Sequence, residues 1–142
     1  MSTIHQEIYS DMICRLKCGS YQGKMVKAKP LLLLTIINLI EKNMVDNNMF
    51  LFDKTTEEEY KHFFIALGEK VTPFFKPFYY LQFDGFWHFN WVPKKKGTNR
   101  PSARFIKESI SNAYLDNALW DLLQEQEMRD HFRAIIENHY LK

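Results

Sequence analysis

Eight basic side chains surround one aromatic-rich stretch. Lys70, Lys76, Lys94, Lys95, Lys96, Arg100, Arg104 and Lys107 flank residues 74–91, where Phe, Tyr and Trp recur. Lysine and arginine neutralise phosphates, and aromatic faces accept bases or apolar ligand atoms, so this pairing suits a polyanion that also carries flat or apolar groups. The plainer reading is that the aromatics fill the core, and it is favoured for Trp87, Phe89 and Trp91. For Phe74, Phe75 and Tyr79, set beside prolines, both readings stay open.

Other chemistry is poorly supported. There is no Gly-rich phosphate loop, GxSxG elbow or HExxH pair among the 142 residues. Cys14 and Cys18 sit four apart, but a zinc site needs two more ligands at tight spacing, and His131 and His139 are eight apart. Two partly buried thiols are expected instead. Glu59-Tyr60-Lys61 matches the end of a metal-dependent nuclease motif, yet its place near an acidic helix start reads as a solvated face. His5, His62 and His88 read as surface or hydrogen-bonded histidines. No catalytic residue, metal or cofactor is expected. Lys94–Lys96 reads as a phosphate-contacting or solvated loop rather than a targeting string.

Net charge is only +2, but it is unevenly spread. Residues 1–40 carry +3, 41–69 carry −4, 70–107 carry +7 and 108–142 carry −4. The two basic segments could form one cationic face, with acidic helices elsewhere. Composition is that of a globular chain, 46% hydrophobic and 25% charged, with 15% aromatic residues. One domain, 1–142, is expected at this length. Two cysteines, no signal-peptide pattern and no apolar run near the ~20 residues of a membrane span point to the cytoplasm.

The elements that must position these residues read as mainly helical α+β: about five helices around a central buried helix at 30–42, with one small antiparallel hairpin at 78–92. A first helix spans 3–17, with Ile4, Ile8, Met12, Ile13 and Leu16 in helical register and Ser2 or Thr3 as its cap. Pro30 suits the first position of the central helix. Thr55 and Glu58 form a capping box for a helix that runs to Leu67 and ends at Gly68. Pro73 and Pro77 bracket irregular backbone. Asp84-Gly85 between aromatic runs predicts the hairpin, with Trp87, Phe89 and Trp91 on the core face. A basic loop spans 93–101. Two C-terminal helices follow, one carrying Leu115, Ala118, Leu119, Leu122 and Leu123, the other Met128, Phe132, Ile135, Ile136 and Tyr140.

Four segments in order add a resemblance that covers roughly residues 24–141. Lys29-Pro30-Leu31-Leu32-Leu33-Leu34, Pro77-Phe78-Tyr79-Tyr80-Leu81, Asp84-Gly85-Phe86-Trp87 and Ala118-Leu119-Trp120-Asp121-Leu122-Leu123 resemble the sulfur-binding domain of bacterial phosphorothioate-dependent type IV restriction endonucleases. The resemblance implies a DNA-binding module of restriction or defence that grips duplex DNA by its backbone, with a phosphorothioate as specific ligand. It implies a sulfur pocket at Pro77, Phe78, Tyr80 and Arg104. It implies backbone contacts from Lys27, Lys29, Lys76, Lys94, Lys95, Lys96, Arg100 and Arg104. An apolar cup can accept sulfur while penalising a strongly hydrated oxygen. The family has Tyr before its proline, whereas Lys76 stands there in this chain. The family's endonucleases also carry an HNH nuclease domain, and no HNH-like cluster occurs here. The chain alone is expected not to cut DNA, any cleavage belonging to a nuclease partner chain. The alternative is a protein-interaction domain docking a partner through an exposed aromatic patch at 74–80.

Overall fold

The computed structural model describes the backbone of residues 3–142 and the side chains of residues 4–142. Helix α1 spans Thr3–Cys14. The cap expected at Ser2 or Thr3 would act through a side chain outside those described. A two-residue antiparallel pair follows, β1 Ser20–Tyr21 and β2 Lys24–Met25. Helix α2, Ala28–Glu41, is buried on every side over residues 28–40 except at Asn38. An all-round apolar helix can only sit at the centre of a domain, and α3, α4 and α7 pack against it. It starts two residues before the expected position. Pro30 is third in the helix, still within the first turn, where a missing N–H costs nothing.

Helix α3 is Lys54–Leu67. The capping box expected at Thr55 and Glu58 is not used: Asp53 is the cap, and its carboxylate accepts from the Thr56 N–H at 2.9 Å. Asp53, two residues earlier, holds extended backbone, and its carboxylate reaches the amide three residues on, in the first turn. Gly68 ends α3 in the left-handed conformation, φ 69°.

The expected hairpin at 78–92 does not form. Residues Phe75–Tyr80 make helix α4, with Pro77 again third in the helix, and Leu81–Asp84 continue as a 3₁₀ turn closed by Gly85 at φ 99°. Asp84-Gly85 therefore ends a helical segment instead of joining two strands. Phe74, Phe78 and Leu81 share one helical face, and all three are buried. Strand β3, Trp87–Trp91, pairs antiparallel with β4, Ile110–Leu115, with a register irregularity at Asn90/Trp91. The two strands are joined by the 93–101 loop and helix α5, Ala103–Ser109. The core face of β3 is as expected: Trp87 and Phe89 are buried and Trp91 is half-buried. Phe50 adds a single bridge to Ala113. Helix α6, Asn117–Leu122, and α7, Gln126–Tyr140, complete the chain. Leu115 belongs to β4 and not to the helix after it. Among the described residues the fold has seven α-helices and two small strand pairs, a mainly helical α+β domain.

Candidate nucleic-acid interface

Helix α4 and its 3₁₀ extension form a platform whose buried side is aromatic. Phe74 stacks on Phe52 at 4.9 Å between ring centres. Phe78 meets Trp87 edge-on at 5.6 Å and stacks on Phe89 at 5.9 Å. Trp87 Nε1 donates to the Phe78 carbonyl at 2.8 Å. Phe74, Phe78 and Tyr79 are each only 1–2% exposed. Packing on β3 and Phe52 has thus used the rings of Phe74, Phe78 and Tyr79, and of the aromatics in 74–80 only Tyr80 is exposed, with Phe75 half-buried. For the same reason Phe78 cannot line a pocket open to a ligand.

Tyr79 positions the basic loop. Its hydroxyl donates to the Thr98 carbonyl at 2.7 Å and accepts from the Thr98 N–H at 2.8 Å. Gly97 is needed at this close approach: a Cβ there would lie 3.1 Å from the Tyr79 oxygen. Lys94 adopts φ 70° and the Lys95 N–H donates to the Val92 carbonyl, which turns the loop outward. An open groove of about 670 Å³ results, lined by Tyr79, Phe83, Trp91, Lys95, Lys96 and Asn99 among others. Phe83 is 56% exposed beside it.

Helix α5 packs on α4. Ser102 caps α5 by accepting from the Phe105 N–H at 3.0 Å. Phe105 then meets Tyr79 and Trp91 edge-on. This anchoring leaves Arg104 and Lys107 exposed. Arg104 pairs with Glu108 one turn on at 3.0 Å, an exposed pair of small energetic weight.

The sequence-predicted cations divide into two groups. Lys76, Lys94, Lys95, Lys96 and Arg100 are exposed and have no carboxylate partner among the described residues. Lys27 and Lys29 are engaged. Lys27 Nζ lies 2.6 Å from Glu69. Lys29 Nζ lies 2.6 Å from Asp84 Oδ2, with side chains 10% and 2% exposed. Asp84 Oδ1 also accepts from the Lys17 N–H at 2.8 Å. Lys29 is therefore a buried tie between α2 and the 3₁₀ turn, not a free phosphate ligand. Its Asp84 partner, read as a turn residue, carries no signal in sequence that it would be reached from 55 residues away. Pro77 is buried, between the exposed Lys76 and Tyr80, which is 37% exposed.

The other candidates are structural. Glu59 pairs with Lys42 and Lys61 with Glu57, while Tyr60 is buried, so the nuclease-like triplet is a helix surface. Cys14 and Cys18 are free, partly buried thiols, and burial pushes the Cys18 thiol up. Among the described residues no three metal-ligating side chains cluster, and no helix is long and apolar enough to cross a membrane. His88 bonds Asp116, which also accepts from Tyr9 Oη at 2.8 Å.

This arrangement of helices around a buried α2 is a fold shared with solved sulfur-binding domains. The chain matches the sulfur-binding domain of ScoMcrA complexed with phosphorothioated DNA at TM-score 0.73 and 17% identity, over 99% of this chain and 89% of that one. It also matches the sulfur-binding and SRA domains of ScoMcrA complexed with phosphorothioated DNA (TM-score 0.69, 18% identity, 94% of this chain, 41% of that one). A third match is the type IV phosphorothioation-dependent restriction endonuclease ScoMcrA itself (TM-score 0.70, 18% identity, 99% of this chain, 30% of that one). At these identities the likeness is one of fold. No family model matches the chain, and no curated protein does.

Proposed function

We propose that this chain is a DNA-binding module of a restriction or defence system that holds duplex DNA by its backbone. The observation that carries the reading is the set of unpaired, exposed cations, Lys76, Lys94, Lys95, Lys96 and Arg100, gathered beside α4 on a fold shared with sulfur-binding domains. Cations held away from carboxylates keep their full attraction for phosphates and release counterions when they bind. Arg104 joins them once its exposed pair with Glu108 opens. Lys27 stands near the α2 N-terminus as a weaker participant, since Glu69 competes for its amine.

Sulfur preference belongs to the same reading. Lys76 and Tyr80 lie one turn apart on α4, on either side of Pro77. The methylene stem of Lys76 stands in for the family's tyrosine ring as one apolar wall, with its amine free for the phosphate oxygens. The stem of Arg104 and the ring of Tyr80 form the other walls. This domain acts as a binder, and any cleavage falls to a nuclease unit other than this domain.

The test is fluorescence anisotropy with two duplexes of one sequence, one carrying a single phosphorothioate, across a salt series. Salt-sensitive binding with tighter capture of the sulfur duplex is expected. Equal affinity for both would remove the sulfur pocket and leave a general backbone binder. No binding to either at low salt would overturn the reading.

A further inference from the structure

The most exposed segment outside the platform is the short pair β1–β2. Residues 19–25 are all exposed, and Tyr21 is 71% exposed. Its turn is preset. Gln22 and Gly23 both have positive φ, 51° and 78°, the signature of a two-residue turn that matches strand twist. The Val26 N–H donates to the Gly19 carbonyl at 2.8 Å and closes the base. Tyr21 and Lys24 are directly opposite in register, so their side chains share one face.

A fully exposed arm that presents a tyrosine ring beside a lysine is not explained by packing. Along the chain, residues 12–40 hold Arg15, Lys17, Lys24, Lys27 and Lys29 and no acid, although Arg15, Lys27 and Lys29 pair across the fold with Asp11, Glu69 and Asp84. Lys24 has no carboxylate partner among the described residues. The arm is also tied to the platform at both ends. Asp84 accepts the Lys17 N–H with one oxygen and the Lys29 amine with the other, and Lys17 Nζ reaches the Phe83 carbonyl at 3.4 Å. Tyr79 holds the basic loop five residues before Asp84. One short segment therefore anchors two cationic arms, with the exposed rings of Tyr80 and Phe83 between the anchor points.

We propose that the 20–25 hairpin is a second nucleic-acid-binding arm, with Lys24 on a backbone phosphate and the Tyr21 ring against the adjoining sugar or groove edge of the duplex held by the 93–101 loop. The inference rests on the DNA-binding reading. A ring with one hydroxyl costs little conformational entropy to immobilise, and an unpaired lysine beside it supplies the charge that draws phosphate to that face. Asp84 gives the arm its fixed aim, because it clamps both stems to the platform.

The test compares the parent chain with Lys24→Gln, Tyr21→Ala and the triple Lys94→Ala/Lys95→Ala/Lys96→Ala by anisotropy on one duplex over a salt series. Urea midpoints confirm that each variant is folded. Lys24→Gln should weaken binding and reduce the salt slope by about 0.9, the value of one phosphate contact. Tyr21→Ala should weaken binding about fivefold and leave the slope unchanged. If both hairpin variants bind as the parent does while the triple variant weakens, the arm is off the interface and the DNA reading survives. If the parent binds no duplex at low salt, both readings fall, and the exposed tyrosine must serve a protein partner instead.

Discussion

Lys29→Met separates a structural lysine from a ligand-binding one. The Lys29 amine is 2.6 Å from Asp84, and the two side chains are 10% and 2% exposed. Removing the cation leaves a carboxylate in the interior without its countercharge, which typically costs about 3–5 kcal/mol. Asp84 keeps the Lys17 N–H, so the lower end, about 3 kcal/mol, is expected. That is a large part of the ~5–15 kcal/mol stability of an ordinary domain. With a urea slope of about 1–3 kcal/mol/M, the midpoint should fall by roughly 1–3 M. Tryptophan fluorescence reads the transition, since Trp87 is buried beside the platform. The double variant Lys29→Met/Asp84→Asn should recover about half of the loss, because the amide still accepts from Lys17 and no charge is stranded. A single variant with a midpoint within about 0.3 M of the parent, coupled to a collapse in DNA affinity, would refute the reasoning. Lys29 would then be a phosphate ligand after all.

Three further outcomes follow from particular contacts. Gly85→Ala should lower the thermal midpoint by several degrees, for a cost of about 1–2 kcal/mol: its φ is 99° and the new Cβ would lie 2.8 Å from Met12 Cε. Tyr79→Phe removes both bonds to Thr98; hydrogen exchange at the Thr98 amide should quicken markedly while global stability drops by only about 1–2 kcal/mol, and an unchanged exchange rate would remove Tyr79 as the loop's anchor. Acid stability should depend on Glu41, whose carboxyl is pulled down to about 2 by its hydrogen bonds from Arg133 and then Gln126. A depressed folded pKa contributes stability above the ordinary 4.5 and loses it as pH falls toward 2, so Glu41→Gln should flatten the unfolding-free-energy profile in that window, modestly because the pair is partly exposed.

Local pattern was enough for some elements and not for others. The buried α2 was legible because an apolar run this dense has only one place to go. Gly68 as the end of α3 and the core face of β3 were legible for similar reasons: each depends on one residue type or one alternation. The capping of α3 failed because two capping sets overlap between 53 and 58, and either could start the helix. The hairpin failed because Asp84-Gly85 ends a 3₁₀ turn as readily as it joins strands, and because the aromatic density of 78–83 was read as strand while Phe74, Phe78 and Leu81 already stood at helical spacing. The partner of β3 lies across a loop and a helix, at 110–115, so no short-range signal could announce it.

The same division runs through the site. Sequence by itself determined which residues carry charge, that the basic residues concentrate in 1–40 and 70–107, and that aromatics are interleaved with them. It also determined that the chain is a mainly helical α+β fold, since periodicity and apolar density are properties of neighbours along the chain. Only the tertiary structure decided which cations are free. Lys29 is spent on Asp84 and Lys27 on Glu69, while Lys76, Lys94, Lys95, Lys96 and Arg100 stay unpaired. Only the structure decided that Phe78 is core and that Tyr79 holds the basic loop. The physical reason is that pairing and burial depend on distances across the fold. A carboxylate 55 residues away can neutralise a lysine at 2.6 Å, and nothing in the local sequence of either residue records that they will meet.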